Sequence, residues 1–303
     1  MAETAARSAT DLLSEARELT DRILSRWARR LQEEVPGRDG AALAYALVTP
    51  GKRVRPALLL ASYRAVGGTS EAVAEVAAAV ETVHTYSLVH DDLPCMDDDA
   101  LRRGRPTTHV AFDVPTATRA GWLLVPVAAR VLAAAAATLG LPPATLGRMA
   151  VELFRSGGIL GMVGGQWLDL EAEGRTLALD DLIAVHRGKT GALIRASCTL
   201  GAIAAQAGAR EVAALTDYGE DVGLAFQIAD DVLDATGTSE ELGKTAGRDA
   251  QLAKSTYVSV MGVEAARAEA ERLARRAVGH LDAAGVPSGA LGALAGYIVT
   301  RNS

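Results

Sequence analysis

Apolar residues return at helical spacing along almost the whole chain, and no run alternates with the period of two that a half-buried strand needs. In residues 10–35, "TDLLSEARELTDRILSRWARRLQEEV", the apolar positions recur every three or four residues, and Thr10 or Asp11 is placed to cap the start. Apolar residues make up 49% of the chain, mostly alanine and leucine, while aromatics are only 4%. Small side chains without β-branched bias favour helix packed closely on helix, so an all-α architecture is expected, with essentially no sheet. The pattern predicts helices over 10–35, 56–66, 71–92, 116–138, 144–161, 180–187, 191–207, 211–234, 239–243, 261–284 and 288–300. Pro50, Gly51 and Pro56 mark "VTPGKRVRP" as a break.

A length of 303 residues allows one large domain or two ordinary ones. The formal charge of −6 gives no reason to expect a nucleic-acid partner. Two cysteines, Cys95 and Cys198, are too few for a disulfide framework and suit a reducing compartment. The opening "MAETAARSATDLLSEARELTDR" is polar and charged, unlike a signal peptide. The longest apolar stretch, "GWLLVPVAARVLAAAAATLGLPP", holds Pro126 and Arg130 and reads as a core or interface helix rather than a membrane span. A soluble, cytoplasmic protein without a membrane partner is expected.

Charge is concentrated in one place. "LVHDDLPCMDDDALRRGRPTTH", residues 88–109, sets five aspartates and three arginines within the fifteen positions from Asp91 to Arg105. A second acidic block, "ADDVLD", follows about 140 residues later near the end of another helix. There Asp230 and Asp234 share a helix face one turn apart, and two bare carboxylates so placed repel by about a few tenths of a kcal/mol. A hard divalent cation removes that penalty, and Mg²⁺ prefers one or two carboxylates completed by phosphate oxygens and water. In the first block Asp91 and Asp97 would be separated by about 240° of rotation on a regular helix and so point apart. Pro94 forbids a regular helix there, and the resulting bend can return Asp97 to Asp91. An EF-hand is excluded, because no twelve-residue loop with its glycine and terminal glutamate is present.

Metal of this kind usually accompanies phosphate, and basic clusters are available to hold it. "GKRVRP" offers Lys52, Arg53 and Arg55, "LRRGRP" offers Arg102, Arg103 and Arg105, "HRGKTGA" offers Lys189 and Thr190, and "LGKTAGRDAQLAKSTY" offers Lys244 and Lys254. Arginine grips phosphate oxygens bidentately and lysine acts as a point charge. Any one cluster is ordinary surface. Four of them beside two acidic blocks point to two phosphate sites, one reached through metal and one reached directly.

The segments "GKRVRP", "HTYSLVHDDLPCMDDDALRRGRPTTH", "GMVGGQWLDLEAEG", "HRGKTGALIRASCTLGA", "FQIADDVLDATGTSEELGKTAGRDAQLAKSTY" and "YIVTRNS" resemble the trans-isoprenyl diphosphate synthases, most of all their bacterial farnesyl branch. The likeness runs from about residue 20 to the C-terminus. It implies a single all-α isoprenoid synthase domain over 1–303, with helices around a deep central cavity, usually as a homodimer. It further implies that an allylic diphosphate binds through about three Mg²⁺ ions between the aspartate blocks. Asp91 and Asp97 would ligate two ions and Asp230 the third, with Asp92, Asp231 and Asp234 ligating or supporting. Lys189, Lys254 and Arg102 would hold that diphosphate, with Lys244 also contacting substrate. Isopentenyl diphosphate would sit among Gly51, Lys52, Arg55, His84 and Arg103. Thr190 and Gln227 match positions whose oxygens steady the allylic cation, and Gln166 and Asp169 match a polar pair near the metals.

Product length is expected to depend on the helix leading to Asp91. Ser87 and Tyr86 lie about 6 Å and about 7.5 Å back along its axis, and a bulky Tyr86 caps the space into which a chain would grow. In the family an aromatic there resembles the short-chain farnesyl type. One segment departs: where relatives read approximately "FGEANAILAGDALLTLAF", this chain has "FDVPTATRAGWLLVPVAA", with Trp122 replacing the common aspartate. That leaves geranyl and geranylgeranyl products as alternatives. A class I terpene cyclase is disfavoured, since only twelve aromatics are available to hold roaming cations. A non-catalytic subunit is disfavoured because both acidic blocks are intact.

Overall fold

The computed structural model describes residues 7–172, 174–237 and 255–301. Helix α1 (Ala9–Glu34) starts at Ser8, whose hydroxyl accepts from the Asp11 amide at 3.2 Å, and it buries Leu12, Leu19, Ile23, Trp27 and Leu31 along one face. After α2 (Arg38–Leu47) the break at 48–53 leads into α3 (Val54–Ala65). A 3₁₀ turn at Glu71–Val73 opens α4 (Ala74–Asp91). Ala74 and Val76 to Val80 are fully buried, so α4 is apolar on every side and runs through the middle of the bundle. Then come α5 (Thr108–Ala111), α6 (Val114–Thr138), α7 (Pro143–Gly157), α8 (Met162–Glu171) and α9 (Leu179–His186). A π-helical turn, Arg187–Gly191, joins α9 to α10 (Ala192–Ala204). The remainder is α11 (Ala209–Thr236), α12 (Tyr257–Met261), α13 (Val263–Ala284) and α14 (Gly289–Thr300).

The all-α expectation holds, with several differences. Helix α2 and the short helices α5 and α12 were not foreseen. The helix expected over 144–161 stops at Gly157, because Gly158 is extended (φ −95°, ψ −160°). Helix α8 was not foreseen either, since Gly164 and Gly165 interrupt the apolar period of "MVGGQWLDLE". Finally, Leu101–Arg102 pairs antiparallel with Arg105–Pro106, a small ladder where no sheet was expected. Arg103 (φ 53°) and Gly104 (φ 74°) form its two-residue turn, and positive φ at both central positions matches the twist of a tight hairpin. The helix expected over 239–243 lies outside the described residues.

The main apolar cluster draws on α1 to α4, α6, α7, α10, α11, α13 and α14, with Met162 from α8. A smaller one joins Leu182 of α9 and Tyr257 of α12 to Leu224, Ile228 and Val232 of α11 and Leu273 of α13. Helix α11 therefore belongs to both, and its polar strip faces the end of α4. Helix α6 is long and apolar enough to cross a membrane by length and composition, and half of its most apolar window is buried. Ala117, Ala120, Leu124 and Ala128 pack inward, while Trp122 stays 65% exposed.

Candidate active site

Helix α4 leaves the core only in its last turn, which delivers Asp91 to the rim of a cavity of about 780 Å³. Beyond it the chain doubles back around Pro94. The Met96 amide donates to the Leu93 carbonyl at 2.8 Å, and the Asp97 amide donates to the Asp91 carbonyl at 2.8 Å. Asp98 takes a left-handed φ of 50° to complete the reversal. Asp91 and Asp97 thereby line the same cavity, as the bend at Pro94 foretold. Burial pushes the Asp91 carboxyl up to about 6, Lys189 draws it down, and Asp97 raises it again.

Asp92 turns elsewhere. It is 3% exposed and accepts from Arg102 Nε at 2.6 Å. Burial raises its carboxyl and the Arg102 guanidinium opposes that rise. Arg102, set by the small hairpin, also approaches Asp99 at 3.4 Å and lines the large cavity.

On the opposite wall α11 presents Asp230, with 45% of its side chain exposed, into the same cavity. Its neighbours have other partners. Asp231 is 3% exposed, accepting from Gln227 Nε2 at 3.0 Å and from the Tyr257 amide at 2.8 Å. Asp234 is 5% exposed. Of the second block, Asp230 alone among the described residues lines the large cavity.

The π-helical turn supplies the third wall. Lys189 Nζ reaches Asp169 Oδ2 at 2.6 Å, and Thr190 Oγ1 donates to Gln227 Oε1 at 2.8 Å. A relay thus runs from Thr190 through Gln227 and Asp231 to the start of α12. The turn is pressed between α8 and α11. A Cβ on Gly165 would overlap the Lys189 amide and Gly188, and one on Gly223 would lie 2.8 Å from the Gly191 Cα. Glycine at these contacts lets the wide turn sit close enough for its side chains to reach the cavity.

The directly basic part lies beside α4. Arg55 Nη1 is 3.4 Å from His84 Nε2, and both side chains line the cavity. Burial lowers the Arg55 pKa, only partly offset by Glu81. Burial, and then Arg55 and Arg103, hold His84 well below the ordinary histidine value, so it is neutral at physiological pH. Arg55 Nε and His84 Nδ1 are buried without a partner, as are both amide atoms of Gln166, another lining residue. These groups leave hydrogen-bonding capacity unused in the wall of the cavity. Arg103 donates to the Pro50 carbonyl and lies against Gly51. Lys52 is exposed beside them.

Tyr86, Ser87 and Trp122 line the large cavity together with Met162, Trp167 and Phe226. Tyr86 stacks edge-on against His90, with ring centroids 5.4 Å apart. Lys244 and Lys254 lie outside the described residues. Sequence reasoning missed Phe226, which neighbours Gln227, and gave no role to Arg301 within "YIVTRNS", whose guanidinium lies over Phe226 at 4.0 Å and meets Asp230 at 2.5 Å. Among the described residues no three His, Cys, Asp or Glu side chains converge into a closed metal cage. Carboxylates instead come singly or in pairs from opposite walls, an oxygen set suited to a hard cation whose remaining ligands are phosphate and water.

A family model described as polyprenyl synthetase matches residues 40–284. The chain is 46% identical to the farnesyl diphosphate synthase of Escherichia coli over 268 residues, covering 86% of this chain and 88% of that one. It is 38% identical to the farnesyl diphosphate synthase of Geobacillus stearothermophilus, covering 97% and 98%. Among solved structures, a geranyltransferase from Helicobacter pylori complexed with magnesium and isoprenyl diphosphate superposes with a TM-score of 0.80 at 31% identity, covering 98% of both chains.

Proposed function

The chain belongs to the polyprenyl synthetase family, and from that premise we propose that it condenses isopentenyl diphosphate head to tail with dimethylallyl or geranyl diphosphate to make farnesyl diphosphate. One observation carries the reading. A single cavity of about 780 Å³ is lined by Asp91 and Asp97 from one wall, Asp230 from the other, and the separate basic group of Arg55, His84 and Arg103. Two anionic substrates need two such sites.

Mg²⁺, about three ions, fits the facing carboxylates, with Asp91, Asp97 and Asp230 as the residues that would hold it and Asp92, Asp231 and Asp234 supporting them. When bound it supplies the positive charge that lets an allylic diphosphate leave. Lys189 and Arg102 add fixed positive charge for the same diphosphate. Arg55, His84 and Arg103, with Gly51 and Lys52, hold isopentenyl diphosphate so that its double bond faces the allylic carbon. Neutral His84 donates or accepts a hydrogen bond without adding charge. The Thr190 hydroxyl and the Gln227 amide oxygen, tied together at 2.8 Å, put oxygen dipoles where the allylic cation develops. Lys244 and Lys254 belong to the same proposal as further diphosphate contacts. Tyr86 and Ser87 limit the length of the chain.

The whole chain acts as one isoprenoid synthase domain in the cytoplasm, and two copies pair through α6, whose Trp122, Leu123 and Val114 remain exposed. A ten-carbon product is the second reading, because Trp122 lines the cavity. Incubation with Mg²⁺, isopentenyl diphosphate and each allylic primer, followed by separation by carbon number, tests both. Farnesyl diphosphate is expected. No elongation with any primer overturns the proposal.

A further inference from the structure

Arg301 is the last residue described, just past α14, and its side chain is 3% exposed. Its amide is anchored to the Tyr297 carbonyl at 2.9 Å. The guanidinium lies 4.0 Å over the Phe226 ring, and its Nη2 is 2.5 Å from Asp230 Oδ1. Asp230 is the one carboxylate of the second block that lines the large cavity among the described residues. The two blocks are thus unequal in this state. Among the described residues Asp91 and Asp97 have no arginine or lysine in salt-bridge contact, whereas Asp230 already has a cation.

We propose that Arg301 is a resident cation at the second acidic block, holding the Asp230 carboxylate until a divalent metal takes it and so setting the metal affinity of that block. The inference rests on the reading of Asp230 as a metal ligand. A metal arriving at Asp230 has two options. Either the ion pair opens, or the metal binds beside a fixed positive charge within a few ångströms; both weaken binding, and the second also repels. The stack on Phe226 gives the guanidinium a place to remain when the carboxylate is withdrawn, since an aromatic face accepts a cation. Arg301 is accordingly a positioning residue. It acts through Asp230 and makes the second block fill after the first.

The test is a titration of the metal-free full chain with Mn²⁺, followed by electron paramagnetic resonance or calorimetry, with and without inorganic pyrophosphate. Arg301→Gln should tighten the weakest Mn²⁺ site by about three- to tenfold, the scale of a half-exposed ion pair. Arg301→Met, which keeps an apolar stem over Phe226, should do the same, and Arg301→Lys should return the affinity toward that of the parent. In an Asp230→Asn background the tightening should vanish. Folded Arg301→Gln and Arg301→Met proteins with unchanged or weaker Mn²⁺ binding overturn the proposal, as does tightening that persists without Asp230. Parent protein that binds no Mn²⁺ even with pyrophosphate overturns the metal-assisted reaction itself, a separate result.

Discussion

Arg53 Nη1 donates to Glu81 Oε2 at 2.6 Å, and both side chains are 4% exposed. The same guanidinium gives Nε to Asp21 at 2.7 Å and Nη2 to the Thr49 carbonyl at 2.9 Å. Every nitrogen is held by protein, so Arg53 is a strut between α1, α4 and the turn before α3. Burial works against its charge, yet Glu81 and Asp21 overcome it and raise the pKa. Arg55, two residues on, keeps an unpartnered Nε, and burial lowers its pKa. Removing Arg53 leaves Glu81 charged and buried. Arg53→Met should therefore cost about 3–5 kcal/mol in urea unfolding. Arg55→Met should unfold no more easily than the parent while raising the KM for isopentenyl diphosphate at least tenfold. Equal losses of stability in the two variants would falsify the division of labour.

Asp91→Asn removes a negative charge whose burial is unfavourable in the metal-free protein. Thermal unfolding without metal should leave the variant as stable as the parent or more so. Turnover should fall by about a hundredfold or more, because the departing diphosphate loses part of its charge neutralisation. Retained turnover would remove Asp91 from the reaction.

Tyr86 stands on α4, edge-on to His90, and lines the large cavity into which the proposed product would lengthen. Tyr86→Ala should shift the product distribution toward longer chains, measured by carbon number after one incubation. If only Trp122→Ala does so, the limit is set from α6 instead.

His186 is 8% exposed, and burial, opposed by Asp169 and reinforced by Lys189, lowers its pKa to about 4. An unfolded chain takes up that proton near 6.5, whereas the native protein does so only near 4. Between those values the unfolded state binds more protons, so native stability falls on acidification. The loss attributable to His186 should reach about 2 kcal/mol by about pH 5. Asp91, whose pKa is raised, contributes with the opposite sign, and that contribution is the same in parent and variant. His186→Gln should therefore lose less stability than the parent between neutral pH and about pH 5, read by urea titration at each pH.

Local chemistry carried much of this far. Apolar spacing made the long helices legible, because a residue's turn on a helix depends on its near neighbours. It failed at α8, where Gly165 makes room for the Lys189 backbone and Gly164 for the Ile159 carbonyl, and the pair leaves no apolar period behind. The aspartate blocks and the basic clusters could be found as strings of charge, and Pro94 announced the bend that brings Asp97 to Asp91.

What a string of charge does not reveal is which members face the cavity. Asp92 and Asp231 read the same as Asp91 and Asp230, and Arg53 reads the same as Arg55. Their partners come from residues distant in the chain: Glu81 and Asp21 for Arg53, the Tyr257 amide for Asp231, Arg301 for Asp230. The aspartates and arginines were evident from composition and spacing alone. Packing assigned each to ion pair, helix cap or open site, because a charge leaves water only where another chain segment arrives to meet it.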